Sequence, residues 1–259
     1  MGNELEGRTA VVTGASKGIG LAIVEALAGA GARVVAGSRT TTKELDALVE
    51  QGSVVWVPAD LAEPDAAERL VAAADGRIDV LVNNVGAAPA RTDGFLSVTD
   101  EDWQRVVDLN LLTAVRVTRA ALPVMLDAGE GSVVTVASVN ATLPDPLVID
   151  YSASKAALVA FSKALSKEVG PRGIRVNTVS PGPVKTELWL GGDGVAATVS
   201  SAAGITPDDV VAKASAATVT GRFSLPSEVA ETVLFLAGDR ARNITGSDLV
   251  IDGGFIPTR

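Results

Sequence analysis

Short runs of β-branched residues alternate along the chain with longer Ala- and Leu-rich stretches of helical period. The runs are Thr9-Ala10-Val11-Val12-Thr13, Arg33-Val34-Val35-Ala36, Val54-Val55-Trp56-Val57, Val80-Leu81-Val82, Val133-Val134-Thr135-Val136, Ile174-Arg175-Val176-Asn177-Thr178-Val179 and Asp248-Leu249-Val250-Ile251. Most are near-continuously apolar, which predicts strands buried on both faces of a parallel sheet with helices on either side. Parallel neighbours need right-handed crossovers, and the stretches between runs are long enough to supply them as helices. No repeat and no linker composition breaks the pattern. It therefore predicts one doubly wound α/β domain of about seven strands over residues 1–259.

Two stretches leave this pattern. Residues 85–94 are rich in Gly, Pro and Ala, and residues 181–222 carry no strand signal and have a centre at Gly191-Gly192-Asp193-Gly194. A structureless loop of the latter length is unusual in a compact domain. Thr206-Pro207-Asp208-Asp209 reads as a helix start, with an N-cap hydroxyl, a proline at the first position and acids in the first turn. The stretch is expected to form a partly helical lid over about 187–222, hinged at the three glycines, with little periodic apolar pattern before Thr206. Residues 100–128 and 151–170 are expected to be long helices. Apolar residues on more than one face, such as Leu109, Leu112, Val115 and Leu122, predict burial against both the sheet and a second copy of the chain.

Composition narrows the chemistry. With 47% apolar and 20% charged residues the chain has the make-up of a globular protein and not of a disordered one. It has no cysteine and no histidine, which removes disulfides, thiolate or imidazole metal sites and the Ser-His-Asp triad. Proton chemistry is left to Tyr, Lys, Asp and Glu, and there is a single tyrosine, Tyr151. A net charge of -9 without a Lys/Arg cluster argues against nucleic acid and anionic membranes as partners. No uninterrupted apolar run approaches the ~20 residues that span a bilayer. The start Met1-Gly2-Asn3-Glu4-Leu5-Glu6 lacks a basic n-region and an apolar h-region, and Glu6 stands where myristoylation needs Ser or Thr. The expected setting is cytoplasmic.

The first strand runs into Thr13-Gly14-Ala15-Ser16-Lys17-Gly18-Ile19-Gly20 and then an apolar helix. Glycines between a strand and a helix let the backbone approach a pyrophosphate, with N–H groups and the helix dipole facing it. A glycine turn needed only for geometry is the plainer alternative. The second strand leads to Ser38 and Arg39 where an acid would bind a free ribose hydroxyl. With Lys17, these residues favour a 2′-phosphate and so NADP over NAD.

In Tyr151-Ser152-Ala153-Ser154-Lys155, the tyrosine and lysine share one helix face. A lysine ~4 Å from the phenol at an effective dielectric of ~20 contributes ~4 kcal/mol, or ~3 pKa units, which would bring the phenol near neutrality. Ser138 ends a strand at the edge where ligands bind such sheets, with a serine that only caps a turn as the equal alternative. Asn110 is a polar amide in an apolar helix and needs partners if buried; a kink is the alternative. Asn83-Asn84-Val85-Gly86 follows a strand and could line the crevice, and Asp60 could accept from an adenine amine.

Together these residues resemble the short-chain dehydrogenase/reductase family over essentially the whole chain. Thr13 to Gly20 is similar to its TGxxxGxG loop and Asn83 to Gly86 to its NNAG motif, with Val85 departing from it. Asn110, Ser138, Tyr151 and Lys155 resemble its catalytic four. Pro181-Gly182-Pro183-Val184-Lys185-Thr186 is similar to its PGxVxT segment, and Ile251-Asp252-Gly253-Gly254 to its C-terminal signature. The resemblance implies a Rossmann-type sheet and an NADP-preferring oxidoreductase acting on a ketone/secondary-alcohol pair. Tyr151 would exchange the proton and Ser138 would polarise the substrate oxygen. Lys155 would lower the phenol pKa and hold the nicotinamide ribose. Asn110 would seat a water in a relay to Lys155, and Thr186 would hold the carboxamide. The cofactor would lie along Gly14, Ser16, Lys17, Gly18, Ile19, Gly20, Ser38, Arg39, Asp60, Leu61, Asn84, Gly86, Tyr151, Lys155, Pro181, Gly182, Val184 and Thr186, with no metal. It also implies a homotetramer. The Ala-, Val- and Leu-rich lid suggests an apolar substrate.

Two alternatives stay open. One is a catalytically silent cofactor-binding sensor or scaffold of the same fold, against which the retained Tyr151 and Lys155 weigh. The other is a 3-oxoacyl-carrier-protein reductase. For that reading, Ala87-Ala88-Pro89-Ala90 departs from the expected ITRD-like continuation, and neither Arg91 nor Lys185 sits in a basic cluster that would take an acidic carrier.

Overall fold

A computed structural model describes residues 3–63 and 65–257. Met1 and Gly2, with the myristoylation question they raise, lie outside these residues. The seven apolar runs form seven strands: β1 (Thr9–Thr13), β2 (Arg33–Ser38), β3 (Val54–Pro58), β4 (Val80–Asn83), β5 (Gly131–Val136), β6 (Ile174–Pro181) and β7 (Asp248–Ile251). They make one sheet in the order β3-β2-β1-β4-β5-β6-β7, and every neighbouring pair is parallel. The register puts Val11 beside Val35 and Leu81, and Val82 beside Val134.

Successive strand residues face opposite sides, so the sheet divides the core in two. Ala10, Val12, Val34 and Val82 pack on α1 (Gly18–Gly29) and on a late helix over Pro226–Ala237, through Ile23, Leu27, Val229 and Val233. Val11, Val35, Leu81 and Val133 face Leu70, Val117, Ala121 and Met125 on the other side. Strands covered on both faces need no polar alternation, which is why their runs read as continuous. The intervening helices are α2 (Lys43–Glu50), α3 (Ala66–Ala72), α4 (Asp100–Val107), α5 (Thr113–Ala128) and α6 (Ile149–Val169).

Between α4 and α5 one π-helical turn spans Asp108–Leu112 and contains Asn110. The kink considered for Asn110 takes the form of this widened turn inside a continuous helix. By length and composition alone, Asp100–Ala128 is apolar enough to cross a membrane. No unbroken apolar run signalled this, because Asp108, Arg116 and Arg119 punctuate the segment. Val117, Ala121 and Met125 are wholly buried in the core beneath the sheet.

The stretch after β6 departs from expectation in two respects. The strand continues to Pro181, and Val184 forms a further parallel bridge with Ser224. The segment is also more helical than its pattern suggests: α7 (Glu187–Leu190), α8 (Val195–Ala203) and α9 (Pro207–Ala216) precede α10 (Pro226–Ala237). α8 carries little apolar periodicity because only Ala196 and Ser200 are buried. α9 starts where its sequence says. The Thr206 hydroxyl accepts from the Asp209 N–H while the Asp209 carboxylate accepts from the Thr206 N–H.

Candidate active site

All seven strands end on one edge, and the direction of strand addition reverses at β1, between β2 and β4. A crevice opens at such a switch point. Here it is a cleft of about 1050 Å³. Gly14, Lys17, Arg39, Asn84, Ser138, Tyr151 and Lys155 all line it, whereas Asn83 and Asn110, also expected near the crevice or the chemistry, do not.

At one end lies the glycine turn. Gly14 and Gly18 have φ of +64° and +57°, which favour glycine. A Cβ on Gly20 would lie 2.1 Å from the Gly14 carbonyl oxygen, so the turn closes only without one. α1 then begins with Lys17 at its N-cap, whose side chain offers no acceptor, and no acid stands in the first turn. The uncapped N–H groups and dipole of α1 fit a pyrophosphate. The Asn84 amide donates to the carbonyls of Thr13 and Gly14 at 3.0 and 3.1 Å, and the Thr13 hydroxyl accepts the Asn84 N–H at 2.9 Å. These bonds fix the turn to the end of β4. Asn83, by contrast, points into the core and donates to Thr118.

Beside the turn, Arg39 is exposed, and among the described residues neither it nor Lys17 pairs with a carboxylate. Two free cations at this corner fit the 2′-phosphate of NADP. Ser38 differs from expectation. It is buried, its hydroxyl donates to the Thr40 carbonyl at 2.8 Å, and it accepts from Trp56 Nε1 at 3.0 Å. The hydroxyl shapes the turn that carries Arg39 and is already engaged on both sides. Asp60 accepts from the Ala62 N–H with one oxygen and lines the cleft beside Leu61.

At the other end, Ser138, Tyr151 and Lys155 meet. Ser138 follows β5, donates to Asn140 Oδ1 at 3.2 Å and accepts the Asn140 N–H at 3.1 Å. Tyr151 is half-buried in the first turn of α6. Lys155, one turn on, is buried, and its Nζ donates to the Val136 carbonyl at 2.8 Å and lies 5.7 Å from the Tyr151 ring centre. Contrary to expectation, the lysine does not draw the phenol toward neutrality. Burial raises the Tyr151 pKa, and only a hydrogen bond with Ser138 works against it. Burial also pulls the Lys155 ammonium down to about 8. The ammonium stands over the ring, held by a carbonyl, so desolvation outweighs attraction for both groups.

Asn110 stands behind the cleft wall. Its amide is buried and bonded to the backbone of Ala87 and Val106, which leaves no side-chain atom for the cleft. Thr186 crosses the glycine turn, its Cγ2 3.3 Å from where a Gly18 Cβ would be. The Pro181-Gly182 corner is fixed by the Gly182 N–H donating to Ile251 and by Asp252, which a Cβ on Gly182 would meet at 2.9 Å. The C-terminal signature thus braces the cleft.

Several lining residues carried no sequence signal. Leu143, Leu147, Leu188, Trp189, Val195, Val199 and Val210 give the cleft an apolar lining. Trp189 packs edge-on against Phe223 with ring centres 5.1 Å apart. Asn140, two residues after Ser138, was legible only as a neighbour of a candidate. Arg91, considered only as a docking charge, is paired with Asp102 and Asp150.

Comparison with known proteins agrees with this geometry. A family model described as enoyl-(acyl carrier protein) reductase matches residues 14–256. The chain is 40% identical to D-threitol dehydrogenase of Mycolicibacterium smegmatis, over 97% of this chain and 94% of that one. It is 34% identical to the 3-oxoacyl-(acyl-carrier-protein) reductase of Escherichia coli K12, over 96% and 97%. A crystal structure from Beutenbergia cavernae, described as an NAD(P)-dependent gluconate 5-dehydrogenase with NADP bound at low occupancy, superposes with a TM-score of 0.86 at 35% identity, over 99% of both chains.

Proposed function

We propose that this chain, which belongs to the short-chain dehydrogenase/reductase family of NAD(P)-dependent oxidoreductases, is an NADP-preferring reductase of a ketone/secondary-alcohol pair. The observation that carries the reading is one cleft that joins Lys17 and Arg39, unpaired among the described residues, to Ser138, Tyr151 and Lys155. NADPH supplies the hydride when bound. The protein supplies the rest. The Tyr151 phenol, kept protonated by its burial, donates to the carbonyl oxygen as the hydride arrives. Ser138 turns its hydroxyl from Asn140 to that oxygen. Lys155 holds a positive charge near the phenol at neutral pH and lies within the cleft to meet a ribose hydroxyl. A protonated phenol suits the reducing direction.

Glu187 to Arg222 acts as the lid on a single domain. Leu188, Trp189, Val195 and Val199 would cover the substrate and exclude water from the transfer. Its apolar face favours a ketone with an apolar flank. A second reading, a 3-oxoacyl-carrier-protein reductase, is favoured by the Escherichia coli relative. One panel separates the two: apolar ketones, polyol-derived ketones and a 3-oxoacyl thioester, each followed by loss of reduced-nicotinamide absorbance with NADPH and with NADH. Turnover of simple ketones with NADPH supports the reading; no turnover of any carbonyl overturns it.

We further infer a homotetramer working in the cytoplasm. Leu112, Val115 and Leu122 stay partly exposed along the joined helix, and Phe95 and Leu96 beside it are 59% and 96% exposed. The acidic, cysteine-free chain fits a reducing compartment. Light scattering at micromolar concentration checks the assembly; a monomer mass rejects it.

A further inference from the structure

Arg91 and the buried Asp150 form an ion pair beside Tyr151 that none of the steps above uses. Arg91 lies in the loop after β4, just beyond the point where Ala87, Ala88 and Ala90 line the cleft. Its Nε and Nη2 donate to one oxygen, Asp150 Oδ2, at 3.1 and 2.6 Å. Its Nη1 lies 3.2 Å from Oδ1 of Asp102 in the first turn of α4. Its own N–H donates to the Leu147 carbonyl at 2.7 Å, and Leu147 lines the substrate end. Asp150 is wholly buried, and its other oxygen accepts the N–H of Tyr151 at 2.9 Å.

The first N–H groups of a helix have no partner within it and need one from outside. At the start of α6 the N-cap is Val148, which has no capping side chain. Asp150 takes over part of that task for Tyr151. A carboxylate removed from water must be paired, and Arg91 is the group that pairs it. An apolar contact would hold the helix end without fixing its rotation. A guanidinium that reaches both carboxylates, with its backbone tied to Leu147, fixes the helix start in direction as well as in place.

We propose that Arg91, acting through Asp150, is a positioning residue that orients the first turn of α6 and thereby holds the Tyr151 phenol at the reacting end of the cleft. The proposal rests on the reading of Tyr151 as proton donor. Its decisive test needs no turnover, because the chain has a single tyrosine. Labelling tyrosine with carbon-13 at Cζ gives one resonance, that of Tyr151, which can be followed in the NADP-bound protein.

The variants are Arg91→Met, Arg91→Lys and Asp150→Asn. The double variant Arg91→Met/Asp150→Leu replaces the pair by apolar groups in case a single variant fails to fold. In protein that is folded by circular dichroism and binds NADPH, the resonance should move or split in Arg91→Met, Asp150→Asn and the double variant. Arg91→Lys should return it part of the way. With ethyl acetoacetate as the ketone, kcat should fall about 100-fold in Arg91→Met while KM changes far less. A resonance that stays at its wild-type position in folded Arg91→Met, or in the double variant, overturns the proposal even if the wild type reduces ketones. A displaced resonance supports it even if the wild type reduces none, and in that case only the functional reading falls.

Discussion

Asn110 grips the peptide of Ala87 from both sides: its Oδ1 accepts the Ala87 N–H at 3.0 Å and its Nδ2 donates to the Ala87 carbonyl at 3.0 Å. The π-helical turn pushes the amide out of the regular helix and against the loop that follows β4. Between the two, a Cβ on Gly86 would lie 2.8 Å from Asn110 Oδ1 and 3.3 Å from Lys155 Nζ. Asn110→Ala leaves both polar groups of Ala87 without this partner, at a cost of about 1–3 kcal/mol. Gly86→Ala should likewise lower turnover by forcing the loop away from Asn110. Thermal melts and kcat for both variants check this; an Asn110→Ala protein as stable and active as wild type would reject the clamp.

Tyr151→Phe removes the hydroxyl proposed as proton donor and keeps the shape of the ring. Turnover should fall ~10²–10⁴-fold, the usual weight of general acid catalysis. NADPH binding, read by nucleotide fluorescence, should persist. Retention of more than about a tenth of the rate would remove Tyr151 from the role assigned to it.

Lys155 should carry a stability cost, because burial disfavours its ammonium. Its folded pKa of about 8 lies below the ordinary lysine value, so between these values the unfolded chain binds more protons and stability rises with pH. Below the folded value the full penalty applies, on the order of 3 kcal/mol. Lys155→Met should therefore raise the melting temperature at neutral pH and lose turnover. Its advantage over wild type should shrink as pH rises toward the ordinary lysine value. Parallel melts of the two proteins across this range measure the difference; an advantage that grew with pH would contradict the assignment.

The cofactor corner predicts a division of labour. Arg39→Ala should reduce the NADPH-over-NADH ratio of kcat/KM by about 10- to 150-fold, the worth of one charge-assisted contact. Ser38→Ala should move the ratio much less, because its hydroxyl already serves Thr40 and Trp56. Ser38→Asp combined with Arg39→Ala should reverse the preference by placing a carboxylate against the phosphate. Equal losses in Arg39→Ala and Ser38→Ala would mean that the serine reads the phosphate directly.

The lid should open only between its fixed ends. The Ser224 N–H donates to the Pro183 carbonyl and the Lys185 N–H donates to the Ser224 carbonyl, each at 2.9 Å, so the two ends are stitched together. Amide exchange should be slow at Lys185 and Ser224 with or without ligand. It should be fast across Gly192 to Thr206 in the free protein and slow with cofactor and substrate. Equal protection of the segment in both states would count against a lid.

The amino-acid sequence by itself determined the seven strands, the glycine turn and the start of α9. Each is a local matter: which residues repeat, which tolerate a positive φ, and which hydroxyl stands before a helix. The gathering of Tyr151, Ser138 and Lys155 at one edge was also legible, because a parallel sheet sends every strand end the same way. What those groups became was decided by the tertiary structure. Trp56 enters the Ser38 hydroxyl's environment only because β3 pairs with β2 in a register that sets Ala36 beside Trp56. Arg91 and Asp150 lie 59 residues apart and meet only when the β4 loop packs on α6. The pKa values of Tyr151 and Lys155 follow from how much water folding removes, a quantity that the four-residue spacing between them does not contain.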